Sequence, residues 1–358
     1  MDVAMTSTTR TVCPACGEPV SGTDLYCENC GAELQSSAPA TPALDTDTEP
    51  TIELHTGDPG AAAAVVPGPC RSCGGTVSAD GYCETCGTKA TKLRDHFTEQ
   101  PAPWVAAVCD RGIRHSRNED AVAIAADPEP GSRALLVVCD GVSSSLDSDV
   151  ASLAAARAAR DVLVAGQAQG MGTEASREAA VIARLNAAAD AASDAVLANT
   201  SPDSPNPASC TFVATVLEAG LLVAGVVGDS RAYWFPDNAE AVALTVDDSW
   251  AAELIATGVP RHEAETGPQG HAITRWLGKD APDHTPRTTT LRVAGPGWLM
   301  ACSDGLWNYC SEAAPLADLV RQTAAANGGE PLATASALVD WANAQGGQDN
   351  ITVALARL

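Results

Sequence analysis

The chain has 358 residues, room for two or three domains and a large core, and its 45 acidic against 21 basic residues give a formal net charge of −24. Such a surface repels nucleic-acid backbones and anionic membranes, which leaves proteins and small molecules as partners. No apolar run approaches the roughly 18 residues that a membrane span needs. Residues 1–10 lack the basic-then-apolar order of a secretory leader, so a cytoplasmic location is expected. Ala-rich, Lys-poor usage points to a GC-rich bacterial genome.

Eight of the 13 cysteines fall in the first 86 residues, as four Cys-x-x-Cys pairs. Cys13, Cys16, Cys27 and Cys30 form one unit over 11–34; Cys70, Cys73, Cys83 and Cys86 form a second over 69–90. In each, a Gly follows both pairs (Gly17 and Gly31, Gly74 and Gly87) and a Tyr precedes the second pair (Tyr26, Tyr82). This is an internal repeat. Four thiolates on two knuckles close a tetrahedral site with no open position, so two structural Zn²⁺ ions in two small zinc ribbons are expected. A redox dithiol is the competing reading. The other five cysteines (109, 139, 210, 302, 310) sit mostly in apolar, strand-like runs and read as small buried hydrophobes.

Residues 35–68 are rich in Pro, Ala, Thr and acid without an apolar period, the composition of a flexible linker. Within it, Asp45-Thr46-Asp47-Thr48-Glu49-Pro50-Thr51 is either a solvated spacer or a phosphoacceptor segment for a kinase or a phosphothreonine-reading domain. Residues 1–100 carry 5 Lys/Arg against 14 Asp/Glu, the wrong sign for ribbons that grip nucleic acid.

From 103 to 358 the pattern is that of one larger domain. Strand-like runs occur at 104–109, 121–126, 134–139, 211–217, 221–227, 231–235, 289–293, 297–302 and 351–356. Helical patterns cover 149–165, 174–199, 315–326 and 331–344. Consecutive strands separated by helix pairs predict an α+β fold of two stacked sheets flanked by helices.

Five aspartates in short distinctive contexts carry the chemistry: Asp120 in Arg117-Asn118-Glu119-Asp120, Asp140 in Val138-Cys139-Asp140-Gly141, Asp229 in Gly228-Asp229-Ser230-Arg231, Asp304 in Ser303-Asp304-Gly305, and Asp349 in Gly347-Gln348-Asp349-Asn350. Asp140, Asp229 and Asp304 come right after apolar runs, which aims carboxylates from several strand ends at one point. Clustered carboxylates repel unless cations neutralise them, and all-oxygen donors select Mg²⁺ or Mn²⁺.

These words, in this order, together with Ser209-Cys210-Thr211 and Ile273-Thr274-Arg275-Trp276-Leu277-Gly278, resemble the metal-dependent protein phosphatases of type 2C over about 103–358. The resemblance implies a four-layer α/β/β/α sandwich with two metal ions at one edge. It also implies hydrolysis of phosphoserine and phosphothreonine on proteins phosphorylated by a Ser/Thr kinase. By the same resemblance Asp140 bridges the two ions, the Gly141 carbonyl binds one, and Asp140, Asp304 and Asp349 hold the other, with Glu119 matching a further ligand position. Asp120 would orient water without touching an ion, and Asp229 with Asp304 match a third ion. Asn350 reads as a loop tie.

Three departures stand out. Where the family has a phosphate-gripping Arg, five residues before Asp120, this chain has His115; Arg114 and Arg117 flank it, and either reaching in is an alternative. Val142-Ser143-Ser144-Ser145 replaces the usual small, Gly-rich continuation after Asp-Gly, so proton donation falls to water or His115. Asp247-Asp248-Ser249 replaces Asp-His-Ser, ahead of a mobile flap expected at 250–272. An alternative function is a non-catalytic phosphoprotein-binding scaffold acting through its ribbons, with His115 as the mark of lost activity.

Overall fold

The structure, a computed structural model, describes residues 11–12, 19–20, 70, 73–78, 81–87, 90, 92–166 and 172–358. Cys13, Cys16, Cys27, Cys30 and the 35–68 linker with its threonine cluster lie outside the described residues. The chain divides into two units, Met1–Asp95 and His96–Leu358. In the first, β1 (Thr11–Val12) pairs antiparallel with β2 (Pro19–Val20). Around the second cysteine set, Gly74 and Gly87 adopt φ of +73° and +70°. Each glycine donates its N–H to the carbonyl four residues back, Cys70 or Cys83, at 2.6 and 2.9 Å. The two knuckles therefore have the same turn, which a side chain at either glycine would strain.

The second unit begins at His96 rather than at the expected residue 103, because β3 (His96–Ala102) forms the edge of a sheet. Then come β4 (Val105–Asp110), β5 (Ala121–Ala126), β6 (Arg133–Cys139), α1 (Ser148–Ala165) and α2 (Glu174–Ala198). Strands β7 (Ser209–Cys210), β8 (Phe212–Glu218), β9 (Leu221–Val227), β10 (Arg231–Pro236) and β11 (Val242–Ala243) follow. Short helices α3 (Trp250–Ala256) and α4 (Arg261–Glu265) precede β12 (Leu277–Gly278), β13 (Arg287–Arg292) and β14 (Gly297–Cys302). The order ends with α5 (Asp304–Trp307), α6 (Ala313–Ala326), α7 (Pro331–Gln345) and β15 (Ile351–Arg357). The six-stranded sheet runs β11-β10-β14-β15-β4-β3 and the five-stranded sheet β13-β9-β8-β6-β5, with every pairing antiparallel.

The inner strands read as near-continuous apolar runs because both of their faces are covered. On β6, Leu135, Val137 and Cys139 pack with α1 and α2, while Ala134, Leu136 and Val138 pack between the sheets. On β14, Leu299 and Ala301 face the other sheet, while Trp298, Met300 and Cys302 pack with α5, α6 and α7. Alternation of period two thus serves two different cores, and the layers stack helix, sheet, sheet, helix. The alanines of α1 (151, 155, 156, 159) and α2 (188, 189, 192) are buried, and small residues let these helices approach closely. Thr173 caps α2, its hydroxyl accepting from the Ser176 N–H at 3.2 Å. Among the described residues no helix is long and apolar enough to cross a membrane.

Gly225 on β9 marks how tightly α2 sits. A Cβ there would lie 2.3 Å from Leu185 Cδ2 and 3.2 Å from Pro286 Cβ. Gly225→Ala is expected to destabilise the unit by about 1–3 kcal/mol through overpacking. Its effect and that of Leu185→Ala should combine less than additively, since the second change makes room for the first; urea denaturation of the single and double variants measures both.

Candidate active site

All five aspartates flank the same end of the two sheets. Asp140 leaves β6, Asp120 enters β5 and Asp229 follows β9 through Gly228, on the five-stranded side. Asp304 leaves β14 through Ser303 and Asp349 precedes β15, on the six-stranded side. Backbone pairs fix the exits: Asp140 N–H donates to Thr211 Oγ1 at 3.0 Å and Thr211 N–H to Asp140 O at 2.8 Å. Gly141 N–H donates to Glu119 O at 3.2 Å. Gly305 lets the chain turn against β15, since a Cβ there would stand 2.0 Å from Asn350 O. Asn350 ties the loop as expected: its Oδ1 accepts from Glu119 N–H at 2.7 Å, and its Nδ2 donates to the carbonyls of Arg111 and Arg117 at 2.7 and 3.1 Å.

Asp120, Asp229 and Asp304 are buried; Asp140 and Asp349 are partly exposed and open the site. Asp120 Oδ2 accepts from Ser303 Oγ at 2.6 Å and Thr352 Oγ1 at 2.7 Å, and Asp304 Oδ2 from Asn308 Nδ2 at 3.0 Å. The Oδ1 atoms of Asp120 and Asp304 are buried without a hydrogen-bond partner. Burial, then the charges of Asp120, Asp304, Asp349 and Asp229, pushes the Asp140 carboxyl well above the usual range. Burial and Asp304 do the same to Asp229. Burial lifts Asp120 and Asp304 to about 6, with Asp349 adding to the effect on Asp304. Burial raises Asp349 as well, against the opposing charge of His115. The carboxylates are spread rather than closed up. Among the described residues, Cys70, Cys73, Cys83 and Cys86 are the one group of three or more His, Cys, Asp or Glu whose ligand atoms all lie within 4.8 Å of one another. An all-oxygen donor set, mutual repulsion and two orphaned buried oxygens together fit a hard divalent cation.

His115 is 5% exposed, with Nε2 3.3 Å from Asp349 Oδ1 and Nδ1 3.5 Å from Glu119 Oε2. Burial opposes its charge, but Glu119, Asp349 and Asp304 outweigh that and raise its pKa. Neither flanking arginine takes its place. The Arg114 side chain is exposed, and Arg117 donates to Glu119 Oε1 (3.0 and 2.7 Å), Ser145 O (2.9 Å) and Ser148 Oγ (3.2 Å). Glu119 is itself occupied, since Ser148 Oγ also donates to Oε1 at 2.6 Å and Ser143 Oγ to Oε2 at 2.9 Å. The serines after Gly141 therefore serve Glu119.

Sequence reasoning gave no role to Arg231, which pairs with Asp247, or to Trp307, whose Nε1 donates to Asp229 O at 2.9 Å. In the first unit the second cysteine set comes together: Cys70 Sγ lies 3.7 Å from Cys86 Sγ and Cys73 Sγ 3.5 Å from Cys83 Sγ, all four being free thiols.

Comparison with known proteins gives a consistent result. A family model described as protein phosphatase 2C matches residues 112–342. A Listeria welshimeri protein named serine/threonine phosphatase stp is 29% identical over 252 residues, 69% of this chain and 92% of that protein. The crystal structure of the Mycobacterium tuberculosis serine/threonine phosphatase PstP/Ppp superposes with a TM-score of 0.56 at 28% identity, covering 71% of this chain and 97% of that one. A structure of the PstP catalytic domain in complex with two manganese ions gives a TM-score of 0.54 at 26% identity, covering 71% and 96%.

The crowded carboxylates give the cation-free protein a pH signature. Asp120 and Asp304 titrate near about 6 when folded, against an ordinary 3.8. The folded state therefore binds more protons than the unfolded state between these values, and stability falls as pH rises through them. His115, also raised, acts in the same direction: its contribution is full below the ordinary 6.5 and is lost above its folded value. In the presence of a chelator, Tm is expected to fall between about pH 5 and about pH 8. Asp304→Asn should flatten that slope; a Tm that rises over the same range would contradict the burial of these groups.

Proposed function

The chain belongs to the protein phosphatase 2C family and is a protein serine/threonine phosphatase, and we propose that Asp140, Asp304 and Asp349 hold the divalent cations on which it depends. The observation that supports this is the meeting of five carboxylates from both sheets at one end, two of them with buried oxygens that lack partners. When bound, Mn²⁺ or Mg²⁺ supplies a water ionised near neutral pH and neutralises charge on the phosphoryl group. The PstP structure with two manganese ions favours manganese.

In this reading Asp140 would serve both ions and the Gly141 carbonyl would help to hold one. Asp229 and Asp304 would hold a third. Asp120, fixed through Oδ2 by Ser303 and Thr352, keeps Oδ1 free to orient the attacking water. Glu119, with both oxygens engaged, holds His115 and the 143–148 turn in place rather than offering an open ligand atom. His115 presents Nε2 on the Asp349 side, the position from which an imidazole would contact the phosphate in place of the family's arginine.

The substrates in this reading are proteins phosphorylated by a Ser/Thr kinase, as the activity of the named relatives suggests. The threonine cluster at 45–51 would be a site for a phosphothreonine-reading partner. Cys70, Cys73, Cys83 and Cys86 would hold one structural Zn²⁺, supported by their matched knuckles. The sequence repeat extends the same role to Cys13, Cys16, Cys27 and Cys30. Soft thiolates and hard carboxylates keep the two metal classes apart. A non-catalytic scaffold is not favoured, because none of the principal carboxylates is missing.

Hydrolysis of p-nitrophenyl phosphate and of a phosphothreonine peptide should depend on added Mn²⁺, and Asp140→Asn or Asp304→Asn should lower it by roughly two orders of magnitude or more. Far-ultraviolet circular dichroism should stay native, since losing a carboxylate relieves repulsion. Full Mn²⁺-stimulated turnover in Asp304→Asn would remove the assignment. Elemental analysis of protein purified under reducing conditions should give about two Zn²⁺ per chain, one per four thiolates, and about one in Cys70→Ser/Cys73→Ser.

A further inference from the structure

Arg231, two residues after Asp229, is 6% exposed yet meets groups from four segments. Its Nε donates to Asp247 Oδ1 at 2.9 Å and its Nη2 to Asp247 Oδ2 at 2.6 Å, a two-pronged pair. Nη1 donates to Ser311 O at 3.1 Å, and the guanidinium carbon lies 3.5 Å from the centre of the Trp307 ring. Trp307 in turn holds the Asp229 carbonyl. The pair with Asp247 already balances the arginine's charge. Nη2 nevertheless also reaches Glu265 Oε1 at 3.1 Å. Glu265 is the last residue of α4 and receives Arg261 Nη1 at 2.7 Å.

Residues 250–272 are closed at their ends by backbone contacts: the Ser249–Ile273 bridge, Trp250 N–H to Ala272 O at 3.0 Å, and Thr274 N–H to Asp248 O at 2.7 Å. Between those ends, among the described residues, the hydrogen bond from this segment to the rest of the unit is the one Glu265 accepts from Arg231. The segment borders the site, since Asp248, just before it, donates its N–H to Gly228 O, next to Asp229, at 2.7 Å.

We propose that Glu265 is a positioning residue, a latch that fastens α4 to the Arg231–Trp307 stack beneath Asp229 and so holds residues 250–272 in the place where a protein substrate meets them. This rests on the phosphatase reading for its substrate. Releasing the latch leaves the carboxylates where they are but makes a large substrate bear the cost of ordering the segment. A small phosphate ester, which needs only the carboxylate site, is indifferent to it.

The test compares full-length wild type, Glu265→Ala and Glu265→Gln, with Mn²⁺ present. Hydrogen exchange across 250–272 should speed up in Glu265→Ala while β8 and β9 stay protected. KM for phosphorylated casein should rise roughly tenfold, the loss of about one charged hydrogen bond's discrimination. For p-nitrophenyl phosphate, kcat and KM should stay within about twofold of wild type. Glu265→Gln keeps the volume and one acceptor, so it should fall between, and it carries the comparison if the alanine variant does not fold. Unchanged exchange in 250–272, or an equal loss on both substrates, overturns the latch. A wild type without phosphatase activity would instead sink the functional reading, and exchange alone would then decide whether the latch exists.

Discussion

Carboxylates that face one another in a buried site push apart, and the architecture of residues 96–358 answers that push. Each aspartate is rooted at the end of a strand whose two faces are both packed, so the site cannot relax by moving a strand without opening a core. In Asp120 and Asp304 one oxygen is held and the other is left free. Fixing one oxygen sets the orientation of the other at little cost, because the hydroxyl and amide donors add no charge. A cation held there would relieve the repulsion that remains.

The same logic sets the cysteine cluster apart from the aspartates. Cys70, Cys73, Cys83 and Cys86 come within 4.8 Å of one another, because neutral thiols do not repel and two glycine turns bring the sulfurs together. The aspartates stay more open. A closed thiol set suits structure, and an open carboxylate set, with Asp140 and Asp349 reaching solvent, suits chemistry.

Most of the sheet-and-helix frame was legible because its strands are buried on both faces and so appear as apolar runs, and because α1 and α2 are long and alanine-rich. Strand β3 was not: it is an edge strand, half-exposed and polar, in His96-Phe97-Thr98-Glu99. Its end is pinned by a contact no pattern announces, His96 Nδ1 to Asp110 Oδ2 at 2.6 Å. Helices α3 and α4 escaped notice because they are short and depend on tertiary anchors such as Glu265. In the site, the aspartates were visible from their strand-end contexts, whereas the division of labour around them was not. Which of Arg114, His115 and Arg117 points inward depends on Glu119 and the serines after Gly141. The stacking of Arg231 on Trp307 joins residues 76 positions apart, beyond any local signal.

Strand β15 lies inside the six-stranded sheet, between β14 and β4. A ribosome delivers β4 early and β14 much later, and neither can complete its inner edge until residue 357 has emerged. Asp349 and Asn350 directly precede that strand, and Asn350 ties the 111–119 loop from the same late segment. The sheet beside which Asp304 and Asp349 stand thus closes only once β15 is made, and until then two apolar strand edges stand exposed. Burial of those edges and the tying of the 111–119 loop arrive in one step, so a chain interrupted before β15 is left prone to aggregate.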